Sequence, residues 1–155
     1  MINVSGTHQV NASSSTVWRI ISEIDGIHKW HPKVLHSPLL SNNPTGEGSA
    51  RKCEFHDGTS VVETVTGWKE GESISMVLTE MSMPMKSAST VMSVQATGVN
   101  SSTVTIEMSF EPKFGMLGHL MGLLVMRPMM KMVFKQVIKG LNTYIANGEI
   151  VDVGA

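Results

Sequence analysis

Apolar and polar side chains alternate with a period of two along residues 2–10 and again from about residue 34 to residue 111; between and beyond these stretches the apolar spacing is helical. The alternation predicts strands near 2–10, 34–40, 49–56, 59–68, 73–80, 87–96 and 103–111. Turn formers separate the later ones: NNPTGEG, HDG, KEGE, SMPM and GVNSS. Strands this close together predict an antiparallel meander. In the last three, one face carries Ile74, Met76 and Leu78, then Met92, Val94 and Ala96, then Val104, Ile106, Met108 and Phe110. Their other face is Ser, Thr, Gln and Glu, so the sheet has one dry side and one wet side.

Two helical regions frame the strands. NASSS at 11–15 is helix-cap chemistry, and Val17, Trp18, Ile20, Ile21 and Ile24 follow at helical spacing until Asp25-Gly26. Pro32 then disfavours helix at His31 and turns the chain. A long helix is predicted from about Met116 to Ala146, kinked or broken near 124–128 because Pro128 removes a backbone donor. Arg127, Lys131, Lys135 and Lys139 share one face of it, read as solvated; Met126, Met130, Val133, Val137, Leu141 and Tyr144 share the opposite one. That apolar stripe must pack on the dry side of the sheet.

With 155 residues, the chain is read as one domain, 1–155, large enough to bury a core unaided. A net charge of −1 gives no basic field for nucleic acid. The single cysteine, Cys53, excludes an internal disulfide, and the first twenty residues lack the apolar core of a signal peptide. A cytoplasmic location is expected. The run Phe114–Met126, interrupted by His119, falls short of the roughly 20 apolar residues of a membrane span, so a buried helix and no span are expected.

The segment ASSSTVWRIISEIDGIHKWHPKV resembles the entry motif of the START-related, polyketide cyclase/dehydrase-like superfamily, with Val17 and Trp18 on the first helix and Trp30 in the Trp-x-Pro turn. GEGSARKCEFHDGTSVVETVTGW is similar to that family's Gly-x-Gly, Arg, Asp-Gly, Glu hairpin, and PKFGMLGHLMGLLVMRPMMKMVFKQVIKGLNTYI resembles its kinked terminal helix. The resemblance implies an α+β helix-grip fold: about seven antiparallel strands curved round the long C-terminal helix, with two short helices after the first strand. It also implies a cavity between sheet and helix. Members bind sterols, lipids, hormones, polyketides and quinones; some are enzymes and many only carry, so no catalytic residue carries over.

No nucleophile elbow, phosphate loop, dinucleotide fingerprint or HExxH occurs. His28 and His31 lie in a turn and are read as turn residues; with one cysteine in the chain, no metal and no cofactor are expected. Cys53 is read as a buried, inert thiol. The 13 methionines are unusual: Met76, Met92, Met108, Met126 and Met130 all fall on inward faces, as core filling or as a compliant lining for a guest. Aromatics are only 5%, which argues against flat stacking walls.

Arg51 and Glu63 form the polar pair of interest. A two-residue Asp57-Gly58 loop would set Lys52 opposite Glu63. A three-residue His56-Asp57-Gly58 loop pairs Phe55 with Thr59, and puts Arg51, Cys53, Phe55, Val61, Glu63 and Val65 on one mostly apolar face. The second register is expected, with the pair inside the cavity. The expected lining is then Trp30, Arg51, Cys53, Phe55, Glu63, Met76, Met92, Met108, Phe110, Met130, Val133 and Val137. The leading reading is a non-catalytic binder or carrier of a hydrophobic small molecule. One alternative is a cyclase or dehydrase using Glu63 or a histidine as acid or base. Another is an interaction module whose basic terminal helix meets an acidic partner or a membrane surface.

Overall fold

The computed structural model describes residues 1–148. Seven strands form one antiparallel sheet: β1 (Ile2–Val10), β2 (Val34–His36), β3 (Ala50–Phe55), β4 (Ser60–Lys69), β5 (Ser73–Thr79), β6 (Met85–Gly98) and β7 (Ser101–Pro112). Their order is β1-β7-β6-β5-β4-β3-β2, so a six-strand meander is extended by the N-terminal strand pairing with the last one. Helix α1 (Ser14–Ile21) and a 3-10 turn (Ile24–Lys29) follow β1. Helix α2 (Gly115–Met121), a π turn (Gly122–Met126) and helix α3 (Arg127–Asn147) run on without interruption after β7. This is the α+β helix-grip arrangement.

Local chemistry explains the boundaries. Ser13 caps α1, its Oγ accepting from the Thr16 N–H at 3.2 Å. Trp18 leaves α1 to meet Trp68 edge to face, with centroids 5.4 Å apart, and both indole N–H groups donate to Glu70. β2 stops at His36, short of the expected 34–40, because Pro38 cannot donate to a ladder; only Leu39 pairs again, opposite Arg51. The alternation places Ile74, Met76, Leu78, Val94, Val104, Ile106, Met108 and Phe110 in the core, as expected. Ala96 is exposed, next to the bulge at Ala96–Gly98 in the β6–β7 pairing.

The predicted break at Pro128 is a π turn one step earlier. The Arg127 N–H donates to the Gly122 carbonyl, five residues back, and Pro128 becomes an opening residue of α3. Beyond it, α3 packs on the sheet through Phe134, Val137, Ile138 and Leu141, while Lys131, Lys135 and Lys139 stay exposed. The Asn142 side chain fastens this half to the end of β1, donating to the Gln9 carbonyl and accepting from the Asn11 N–H, both at 3.0 Å. The half before Pro128 differs from expectation. The continuous helix Gly115–Asn147 has 33 residues and is long and apolar enough to cross a membrane by length and composition. Met116, Leu117, Leu120, Met121, Leu124 and Val125 are exposed rather than buried.

Gly140 sets the position of α3. A Cβ there would overlap the carbonyl oxygen of Trp30 and press on Pro32, so the helix backbone sits directly on the turn that carries Trp30 and His31. Alanine in a helix interior is favoured over glycine by about 1 kcal/mol. Overlap with a backbone carbonyl outweighs that gain, since overpacking costs about 1–3 kcal/mol and here no flexible side chain can yield. Gly140→Ala is therefore expected to lower the urea midpoint; an unchanged or raised midpoint would mean that the helix does not sit on the turn.

Candidate functional site

Between α3 and the concave side of the sheet lies a cavity of about 520 Å³. That is within the range of small-molecule sites, about 300–1,000 Å³. Strands supply Val61, Ile74, Met76, Leu78, Met92, Ile106 and Met108; the helix supplies Met130, Val133, Phe134 and Val137; Ile21, Ile27 and Trp30 close one end. Exposed Lys33, His56, Asp57, Met129, Met132 and Gln136 form the rim, so the mouth opens between the β3–β4 hairpin and the outer edge of α3.

One end of the cavity is polar, and the hairpin register creates it. Gly58 takes φ +89°, and the Phe55 N–H donates to the Thr59 carbonyl at 2.9 Å: the three-residue loop. Cys53 then faces Val61, and Arg51 faces Glu63. Arg51 is 5% exposed, and its Nε donates to Glu63 Oε1 at 3.3 Å. Its two other nitrogens each have a partner, one the Ile24 carbonyl at 2.9 Å and one the Met76 sulfur at 3.7 Å. Glu63 Oε1 also accepts from the Cys53 thiol at 2.9 Å.

The electrostatics follow from this packing. Burial pushes the Glu63 carboxyl up, but the adjacent Arg51 charge and the Cys53 and Arg51 hydrogen bonds outweigh it and hold the group below its ordinary range. Burial likewise opposes the Arg51 charge, and Glu63 reverses the balance, raising the guanidinium further. Burial, reinforced by Glu63, pushes the Cys53 thiol up, so it stays protonated. His31 lines the same end, and its Nδ1 accepts from the Lys33 N–H at 3.2 Å, which leaves its proton on Nε2. Burial pushes His31 down to about 4, despite the raising influence of Glu63, so the ring is neutral at pH 7. The Trp30 Nε1–H is buried and, among the described residues, has no hydrogen-bond partner.

The cavity wall includes Trp30, Arg51, Phe55, Glu63, Met76, Met92, Met108, Met130, Val133 and Val137 from the expected lining. Cys53 and Phe110 are not in it. Cys53 is covered by the Glu63 carboxylate it donates to, and Phe110 is fully buried beside Gly122, under the π turn. Two features escaped the sequence reading. Phe134 joins the expected Trp30 and Phe55 on the cavity, so flat walls are present despite the low aromatic share. His31, read as a turn residue, faces the cavity. Phe134 was detectable, four residues after Met130 and three before Val137 on the buried stripe; the inward turn of His31 had no local signal. His28 is instead held in the turn by Ser37 at 2.8 Å.

The family described as polyketide cyclase / dehydrase and lipid transport matches residues 1–146, and the chain belongs to it. Comparison with curated proteins finds no match. Among solved structures, the protein XoxI from Bacillus cereus is 17% identical, with a TM-score of 0.77 over 95% of this chain and 97% of that one. A START superfamily protein from Mycobacterium smegmatis is 19% identical, with a TM-score of 0.72 over 93% and 97%. The di-domain ARO/CYC protein BexL, from the BE-7585A biosynthetic pathway, is 11% identical, with a TM-score of 0.78 over 94% of this chain and 47% of that one. At these identities the likeness is one of fold.

Two measurements test the polar end. In a double-mutant cycle read by urea unfolding, Arg51→Met and Glu63→Gln are each expected to cost about 3–5 kcal/mol, because each strands its partner, while the double variant loses far less than the sum. Additive small losses would mean a solvated pair. His31 gives a pH signature. The unfolded chain takes up a proton near 6.5 and the folded chain only near 4, so the contribution is complete above 6.5 and disappears as pH falls from 6.5 to 4. The loss is up to about 3 kcal/mol. His31→Gln should flatten that slope; an equally steep slope would place the neutral histidine elsewhere.

Proposed function

We propose that the protein binds and carries one hydrophobic small molecule that has a polar group at one end. The observation that carries this reading is the cavity itself: a wall of Met, Ile, Val and Leu that converges on one polar corner built from His31, Arg51 and Glu63. An apolar gap of this volume is a standing cost to the fold unless something fills it. Met76, Met92, Met108 and Met130 make the lining compliant, suiting a guest of irregular or flexible shape. Trp30, Phe55 and Phe134 add flat faces, so a guest with a ring, such as a polyketide- or quinone-like molecule, fits the wall as well as an acyl chain does. Each Arg51 nitrogen has a protein partner, and the side chain serves the corner by fixing Glu63. The groups that can meet a guest include the second Glu63 oxygen and the His31 Nε2–H.

A second reading, a cyclase- or dehydrase-type enzyme, draws on His31. A neutral imidazole in the cavity wall, near a carboxylate, is the type of group that general acid–base chemistry uses. The two readings separate on the fate of the guest. A carrier returns it chemically unchanged after prolonged incubation, whereas a dehydrase returns it lighter by one water and a cyclase returns an isomer of the same mass that separates from it by chromatography.

The carrier reading expects fatty acids or apolar fluorescent probes to bind at one site with micromolar affinity. At a hundredfold excess over Kd, such a ligand stabilises the fold by about 2.7 kcal/mol and raises the melting temperature accordingly. Met92→Trp or Met108→Trp should fill the cavity and abolish this shift while the apo protein still melts cooperatively. A ligand that stabilises the Trp variants as strongly as the parent would put binding elsewhere and remove the reading.

A further inference from the structure

We propose that the outer face of α2 and the π turn docks on an anionic phospholipid membrane. The inference goes beyond the cavity's guest and does not depend on its identity. Phe114 is 75% exposed, Met116 90%, Leu117 79%, Leu120 53% and Leu124 68%, which is a contiguous apolar face on one element rather than scattered side chains. Packing determines which face points out. Gly122 lies against the body of the protein, where a Cβ would overlap Ile2 and Pro112, and Gly118 lies against the turn that enters the helix, where a Cβ would overlap the Lys113 carbonyl oxygen. The helix is therefore held closely by its glycine edge and cannot roll its leucines inward. Phe114, at the start, adopts a left-handed φ of +74°, a strained conformation for an aromatic residue, and holds its ring in solvent.

Charge selects the occupant. From Lys113 to Gly148 the chain contains no Asp or Glu, although the whole molecule carries a net charge of −1. Lys113, Arg127 and Lys131 are exposed beside the apolar face, and among the described residues none of them is in a salt bridge. Apolar side chains flanked by unopposed cations fit the boundary of an anionic bilayer. A second copy of the chain fits less well. A two-fold interface places the same patch on both sides, so these cations would face their own copies with no carboxylate from this segment to offset them. The exposed face also continues, through Met129 and Met132, to the rim of the cavity. A docked protein would therefore turn its cavity mouth toward the lipid.

The test is sedimentation with vesicles of phosphatidylcholine alone and of phosphatidylcholine with about one third phosphatidylglycerol, at low and high salt. The protein should bind the anionic vesicles, with binding falling as salt rises. The double variant Leu120→Asp/Leu124→Asp should reduce binding at least about tenfold while keeping the parent melting temperature, since both side chains are exposed. Lys131→Gln, which leaves the apolar face intact, should weaken binding about fivefold. Failure of the parent to bind anionic vesicles, or binding that the Asp pair leaves unchanged, overturns the proposal. So does a dimer in size-exclusion chromatography that the Asp pair dissociates without any vesicle binding, which assigns the face to a second copy. None of these outcomes bears on ligand binding in the cavity, which is measured without vesicles.

Discussion

The molecule depends on a single buried cation. Arg51 is removed from water, and a guanidinium cannot escape that cost by losing its proton. It must be satisfied from all sides, and the groups that satisfy it come from different parts of the chain: Glu63 on β4, the Ile24 carbonyl at the start of the 3-10 turn, and Met76 on β5. Satisfying one side chain therefore aligns the β3–β4 register, holds the 3-10 turn against the sheet, and directs a carboxylate oxygen toward the interior. The same turn carries Trp30 and His31, and α3 rests its backbone on Trp30 through Gly140. Guanidinium, turn and helix form one chain of contacts, and the cavity is the volume they leave between them.

The C-terminal helix has two environments. After the π turn, its apolar residues pack inward and its lysines face water. Before it, the helix touches the body mainly along its glycine edge and at Met126, and presents Leu, Met and Phe to the outside. The π turn absorbs the backbone donor that Pro128 lacks and lets one helix serve both environments without a break. Buried apolar surface stabilises the second half. The first half is exposed beyond what a monomer's fold needs.

Much of this was readable in the residues because it follows from periodicity. The strands, the dry face, the terminal helix and the three-residue loop all follow from alternation, turn chemistry and the one-residue slip that would have turned Val61 and Val65 away from Arg51. Periodicity tells direction but not depth. It put Cys53 and Phe110 on the inward face, correctly, but could not tell that one lies behind Glu63 and the other beneath the π turn. Nor did it add Phe134 to the Trp30 and Phe55 expected on the cavity wall. The apolar run before Arg127 was read as a buried helix because it is interrupted by His119 and falls short of the roughly 20 apolar residues of a membrane span. What exposes it is a property of Gly118 and Gly122: their missing side chains fix the helix edge that faces the protein. His31 is the largest omission, since a histidine in a turn has no local mark that distinguishes solvent from cavity.

The central claim is that one guest occupies the space between sheet and helix, and the methionines offer the most direct test of it. With their methyl groups labelled with carbon-13, the protein would be titrated with a fatty acid or apolar probe and followed by NMR. The account expects the Met76, Met92, Met108 and Met130 resonances, all on the cavity wall, to shift together and saturate at one equivalent, with exposed Met1, Met116 and Met121 unmoved. Shifts confined to Met116 and Met121, or no saturable shift at the four cavity methyls, would contradict it.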